Sequence, residues 1–146
     1  MAMKAKEFLE QVEKYDTMIE NKRIEMMQWH AIATSTTAHS DDVRVQTSGN
    51  PHKMENAADR AMEIQREINV LINKMINSKL EIIETIEKLN ATEYDVLHKI
   101  YIQRKTLDDV ADVKHKTYSW VTTVHGRALQ NVQRILDERK RNAKDI

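Results

Sequence analysis

The residues best suited to chemistry lie between Lys114 and Gln130. Thr117, Tyr118, Ser119, Thr122 and Thr123 carry hydroxyls, Gln130 an amide, Arg127 a guanidinium, and Lys114 and Lys116 ammonium groups. If a helix starts at Tyr118, then Val121, Val124, Ala128, Val132 and Ile135 follow a three-four spacing and turn inward. Tyr118, Ser119, Thr122, Thr123, Arg127 and Gln130 then point outward. Hydroxyls, an amide and a guanidinium on one face are what contact with phosphate oxygens and base edges requires. Lys114 and Lys116 would rest on flanking phosphates. The plainer alternative is a solvated helix face.

Other chemistries lack their constellations. Gly49 and Gly126 are the only glycines, so there is no glycine-rich phosphate loop. No cysteine is present as nucleophile or zinc ligand. His30, His39, His52, His98, His115 and His125 form no HExxH motif and no close helical pair, so no metal site is expected. The carboxylates alternate with Lys and Arg in the manner of solvated helix faces. The chain is therefore expected to be no enzyme and to hold no cofactor. Trp120 either stacks on a partner or covers a small core, the second being favoured. His125 reads as a packed, hydrogen-bonded side chain before a base-reading one. Gly126 costs a helix about 1 kcal/mol relative to alanine; it either permits close approach of DNA or another helix, or is simply tolerated.

The stretch from Leu89 to Leu136 positions these groups. It reads as three helices, each with a threonine at its start. Thr92 is placed to cap a helix over about 93–103, Thr106 one over about 107–113, and Thr117 one that begins at Tyr118. Such hydroxyls accept a bond from an otherwise orphan backbone N–H. Arg104-Lys105 and Lys114–Lys116 make the turns. Leu97, Ile100 and Tyr101 share a face of the first helix, and Leu107, Val110 and Ala111 one of the second. A short helix, a tight turn and a longer final helix describe a helix-turn-helix, whose last helix can enter the major groove.

The segments TLDDVADV and TYSWVTTVHGRAL resemble region 4 of the sigma-70 factors, the part that reads the promoter −35 element. They resemble still more closely the small phage and prophage regulators of low-GC Gram-positive bacteria, the ArpU/RinA-like late transcriptional regulators and their relatives. Leu107, Val110 and Ala111, then Ser119-Trp120-Val121, then His125-Gly126-Arg127-Ala128-Leu129 carry the likeness. The stretch TSGNPHKMENAADRAMEIQREIN is also similar to these proteins, so the likeness spans roughly residues 47–136. It implies a DNA-binding transcriptional regulator acting at a −35-like element, with RNA polymerase or a sigma factor as partner. Typical region 4 sequences carry more Arg and Lys than Thr122 and Thr123 offer. No region 2 is recognisable, so melting a promoter would need a partner.

The remaining chain reads as two long helices. Phe8, Val12, Tyr15, Ile19, Met26, Trp29 and Ala33 repeat in a four-three rhythm over about 4–34, interrupted by Lys22. The interruption suggests an end, a kink or a snorkelling stem. Ala57, Ala61, Ile64, Ile68, Leu71, Met75 and Ile82 repeat likewise over about 52–89, with Ser78 the weak point. A second stripe of Ile72, Ile76, Ile83 and Ile86 must also find cover, from the C-terminal domain or a second subunit. Between the helices, about 35–51 is rich in Thr, Ser, Asp and Asn and reads as a flexible linker, with a short extended piece at Val43 and Val45 or an ordered arm as alternatives.

These elements predict an all-α chain: a long antiparallel, coiled-coil-like hairpin over 1–89, a sigma region 4-like helix-turn-helix over 90–136, and a basic tail over 137–146. The formal charge is zero. From Asn90 onward, however, 11 Lys and Arg face 8 Asp and Glu, so the positive excess lies in the half expected to meet double-stranded DNA. A modest excess means salt-sensitive binding, and a homodimer through the hairpin would double the contacts. The absence of cysteine, of a long apolar run and of a signal peptide fits the cytoplasm of a bacterial host, with no membrane involvement. Two other functions fit the same pattern: a DNA-packaging subunit like the phage small terminases, and a module that binds only protein.

Overall fold

A computed structural model describes residues 3–38 and 51–144, with side chains over 3–35 and 53–144. The described residues are helical, with no strand. The helices are α1 (Ala5–Leu9), α2 (Gln11–Ala38), α3 (Pro51–Ile86), α4 (Ala91–Leu97), a π-helical turn (His98–Ile102), α5 (Leu107–Lys114) and α6 (Tyr118–Lys144).

The expected first helix is two pieces. At Glu10 the backbone unwinds to φ −83° and ψ 0°, but the Glu10 N–H still donates to the Lys6 carbonyl at 2.9 Å and the Lys14 N–H to the Glu10 carbonyl at 3.0 Å. The long linker expected over 35–51 is shorter at both ends. α2 continues to Ala38, and α3 begins at Pro51, where a fixed φ and a missing N–H suit the first turn of a helix. The extended piece or arm expected around Val43 and Val45 lies outside the described residues.

The chain forms two compact units: residues 15–74, and residues 1–14 together with 75–146. This differs from the boundary expected at Leu89. The reason is the apolar seam of α1 and the start of α2. Ala5, Phe8, Leu9 and Val12 share one core with Ile82, Ile86, Leu97, Ala128 and Val132, so the chain's beginning is part of the C-terminal unit. A second, smaller core holds Val96, Val110, Ala111, Val121 and Val124, with Ile100, Leu107 and Trp120 against it.

In the unit spanning 15–74, Ala57, Ala61, Ile64, Ile68 and Leu71 are buried, so the four-three rhythm marks the inner face of α3; on α2 Ile19 is buried, but Tyr15, Met26 and Ala33 are half-buried and Trp29 is 37% exposed. Lys22 does not end α2, which runs on to Ala38. Its stem is half-buried and its Nζ donates to Glu67 Oε2 at 2.9 Å, the snorkelling arrangement. The second α3 stripe is covered only in part: Ile86 is fully buried, but Ile76 is 48% exposed.

The caps differ from expectation in one place. Thr106 caps α5 in a capping box with Asp109, and Thr117 Oγ1 accepts from the Trp120 N–H at 3.0 Å at the start of α6. The first of the three helices, however, starts earlier. Asn90, not Thr92, accepts from the Glu93 N–H at 2.9 Å, and asparagine is at least as good an N-cap as threonine. This helix also widens into the π turn before Gln103, whose N–H reaches the His98 carbonyl at 2.9 Å. The expected basic tail over 137–146 is not a separate segment through Lys144. α6 runs on without a break because Leu136 packs against the first core and no Gly or Pro interrupts it.

Candidate nucleic-acid interface

α5 and α6 are joined by His115, Lys116 and Thr117. His115 adopts the left-handed conformation, φ 57° and ψ 44°, closing the end of α5. This turn aims the start of α6. Val121, Val124, Ala128 and Val132 are buried as the spacing predicts, and with Val110 and Ala111 they fix which face of α6 looks outward.

On that face Ser119, Thr123, Arg127 and Gln130 are exposed. Thr122 is half-buried beside it, and Tyr118 is 53% exposed at its edge. The hydroxyls of Thr122 and Thr123 both donate to the Ser119 carbonyl at 2.9 Å, which leaves their oxygens able to accept and the side chains pre-oriented. Arg127 borders a shallow cleft that Asn90, Ala91, Thr92, Glu93, Trp120 and Val124 complete. Thr92, displaced from its expected capping role, is thus exposed near the same face.

The two flanking lysines part company. Lys116 is exposed, its Nζ 5.4 Å from the centre of the Trp120 ring. A cation over an indole face is held by the ring quadrupole. Trp120 at the same time covers the second core, so both of its properties serve the fold. Lys114 does not stand free as a phosphate contact. It is half-buried and ion-paired with Asp95, which also takes Lys99 Nζ at 2.6 Å. Burial acts to raise the Asp95 carboxyl, but the hydrogen bonds and charges of Lys114 and Lys99 outweigh it and hold the group below its ordinary value. The Asp95 pairing ties α4 to the end of α5, and so to the turn that aims α6.

Two residues behind this face were visible in the sequence without their pairing. The π turn brings the Tyr101 hydroxyl to 2.7 Å from His125 Nε2, with the rings stacked at 5.7 Å. Burial, with lesser contributions from Glu10 and Glu13, pushes the Tyr101 phenol up to about 12. His125 is a packed, hydrogen-bonded side chain. Burial, then the nearby Lys6, holds its pKa below the ordinary 6.5.

The unfolded chain therefore takes up this proton at a higher pH than the folded chain does. The stabilisation by neutral His125 is complete above about pH 6.5 and is lost as pH falls from there toward the folded-state value. Denaturant titrations at about pH 7.5 and about pH 5.5 should show lower stability at the acid end, and His125→Gln should remove part of that slope. An unchanged slope in the variant would locate the titration elsewhere.

Gly126 lies on the exposed side, and a Cβ added there meets nothing within 4 Å. Packing inside the chain therefore does not require a glycine at this position.

Sequence reasoning missed Arg134, and placed Arg141 only in a basic tail, read as a frayed end or as a segment along a phosphate backbone. Because α6 extends to Lys144, both fall in line with Arg127 at intervals of seven residues, and both are exposed. The spacing was legible, but the expected end of the helix near Leu136 hid it.

No protein-family model matches the chain, and neither a curated protein nor a solved structure matches it.

Proposed function

We propose that the chain is a DNA-binding transcriptional regulator of phage or prophage type. α5 and α6 act as a helix-turn-helix like sigma region 4, and the start of α6 enters the major groove. The observation that carries this reading is the outward face of α6. Ser119, Thr123, Arg127 and Gln130 stand exposed on a helix whose opposite face is buried at Val121, Val124, Ala128 and Val132. Groups that can read base edges are thus presented on a rigid element, with Tyr118 and Lys116 beside them. The partners are double-stranded DNA and, by the likeness to region 4, RNA polymerase or a sigma factor at a −35-like element. α2 and α3 serve as a hairpin that brings a second copy. Ile76 and Leu80, 48% and 62% exposed on α3, supply apolar surface for that pairing.

The test is binding of promoter-length DNA by the full chain at low salt. Lys116→Ala combined with Arg127→Ala should weaken binding on the order of ten-fold or more, because each removes a charge-assisted contact. Unchanged affinity would place the contact surface elsewhere. No binding even by the unaltered chain would favour a module that binds only protein. One observation favours that second reading: the Lys114–Asp95 pair removes a cation from the expected phosphate contacts. A binding map over the prophage then separates the DNA functions. Occupancy near late promoters supports regulation, and occupancy at a packaging site supports a role like that of the small terminases.

A further inference from the structure

We infer that α6 carries a second nucleic-acid contact beyond its recognition-like face: a row of arginines, Arg127, Arg134 and Arg141, that follows the phosphate backbone. The inference rests on the DNA reading above. It adds where the backbone is held and by which residues.

Seven residues are nearly two turns of an α-helix, so positions seven apart drift by only about 20° and stay on one face. At about 1.5 Å per residue, neighbouring members of the row are about 10 Å apart and the row spans about 21 Å. All three arginines are exposed, and they share the side of α6 that bears Ser119, Thr123 and Gln130.

Their surroundings leave the charges available. Arg60, Arg104 and Arg139 each approach a glutamate, Glu63, Glu13 and Glu81 respectively. None of the row is ion-paired among the described residues. Arg134 donates from Nη2 to the neutral Asn131 Oδ1 at 3.0 Å. Asp137, which lies between Arg134 and Arg141, accepts from Gln133 Nε2 at 3.2 Å instead. Glu138 is the other acid in this part of α6. Between Arg127 and Lys144 six Lys and Arg stand against these two carboxylates, with Lys140 and Lys144 beside the row.

The length of α6 supplies the reason for backbone contact. A major groove about 12 Å wide admits the first turns of a helix. A helix of 27 residues then extends beyond the groove toward the bordering strand. The C-terminal end of a recognition helix meets phosphates in this way in other helix-turn-helix folds. Arg134 and Arg141 lie about 22 and 33 Å beyond Ser119 along the helix axis, farther than the depth of the groove. A guanidinium suits that task because its fork matches phosphate oxygens.

The experiment uses the full chain and a mixed-sequence duplex of about 30 base pairs, with affinity measured from about 50 to about 200 mM NaCl. Arg134→Gln with Arg141→Gln removes two phosphate contacts, so the slope of log affinity against log salt should become shallower by about 1.8. The ratio of wild-type to variant affinity should then fall about ten-fold across that range. Arg134→Lys with Arg141→Lys should keep the wild-type slope. Arg23→Gln with Arg66→Gln, exposed residues of the unit spanning 15–74, controls for net charge. Thermal melts matched to wild type confirm that the variants fold. A slope reduced only by the Arg134/Arg141 glutamine pair supports the row. An unchanged slope in that pair, with Lys116→Ala and Arg127→Ala still weakening binding, overturns the row and leaves the recognition face. Equal reduction in the Arg23/Arg66 pair also overturns it, because bulk charge is then enough. Failure of the wild-type chain to bind at the lowest salt overturns both readings.

Discussion

Leu97→Ala is expected to cost the unit formed by residues 1–14 and 75–146 about 2–5 kcal/mol, the range for a fully buried leucine whose site cannot collapse. Leu97 is fully buried, and its core draws on α1, α2, α3 and α6: Phe8, Val12, Ile86 and Val132 all belong to it. No single neighbour can move in to fill the space, because each is fixed by a different helix. Urea titration followed by circular dichroism measures the loss. Ile76→Ala is the companion, since Ile76 is 48% exposed and a surface change of this kind should stay within about 0.5 kcal/mol. If the two variants lost similar stability, the division between core and open face would be wrong. A concentration-dependent loss in Ile76→Ala alone would instead mark the α3 stripe as the surface between copies.

The second large effect concerns a carboxylate. Glu93 is 3% exposed, and its hydrogen-bond partners among the described residues are neutral amides. Its Oε2 accepts from Asn90 Nδ2 at 2.9 Å and its Oε1 from Asn131 Nδ2 at 2.7 Å. The same Asn90 caps α4 through the Glu93 N–H. One residue thus joins the cap of α4 to the middle of α6. Glu93→Ala takes the acceptor from the half-buried Asn131 amide, while the exposed Asn90 amide turns to water; the change should cost about 1–3 kcal/mol. Glu93→Gln should not rescue it fully, because a glutamine offers one acceptor where two amide groups donate. A double-mutant cycle with Asn131→Ala isolates the bond, with a coupling of about 0.5–3 kcal/mol expected. Additive losses would mean that the two side chains are neighbours without being partners.

Much of the local order was legible. The caps at Thr106 and Thr117 follow from a hydroxyl placed just before an apolar-periodic run, a signal contained within four residues. The buried set Val121, Val124, Ala128 and Val132 follows from helical period alone. Other features were not legible because they depend on distant residues. Asn90 and Thr92 are both acceptable caps, and the choice went to the residue whose amide also reaches Glu93. The π turn carries no composition signal, and it sets Tyr101 against His125, 24 positions further along. Lys114 looked free because its partner, Asp95, lies 19 positions earlier.

The sequence by itself determined the helical class, the two long apolar seams, and the outward set at the start of α6. Each of these rests on a period of 3.6 residues or on a cap, and both act over one or two turns. Tertiary structure decided which segments share a core and which charges remain available. Phe8, Leu9 and Val12 would suit any apolar face. Only the packing of Ile82, Ile86, Leu97, Ala128 and Val132 places them in the C-terminal unit. Packing on Leu136 likewise accompanies α6 to Lys144 and sets Arg134 and Arg141 in line with Arg127. Burial is a property of contacts between residues far apart in the chain, and a local pattern can name the face but not what covers it.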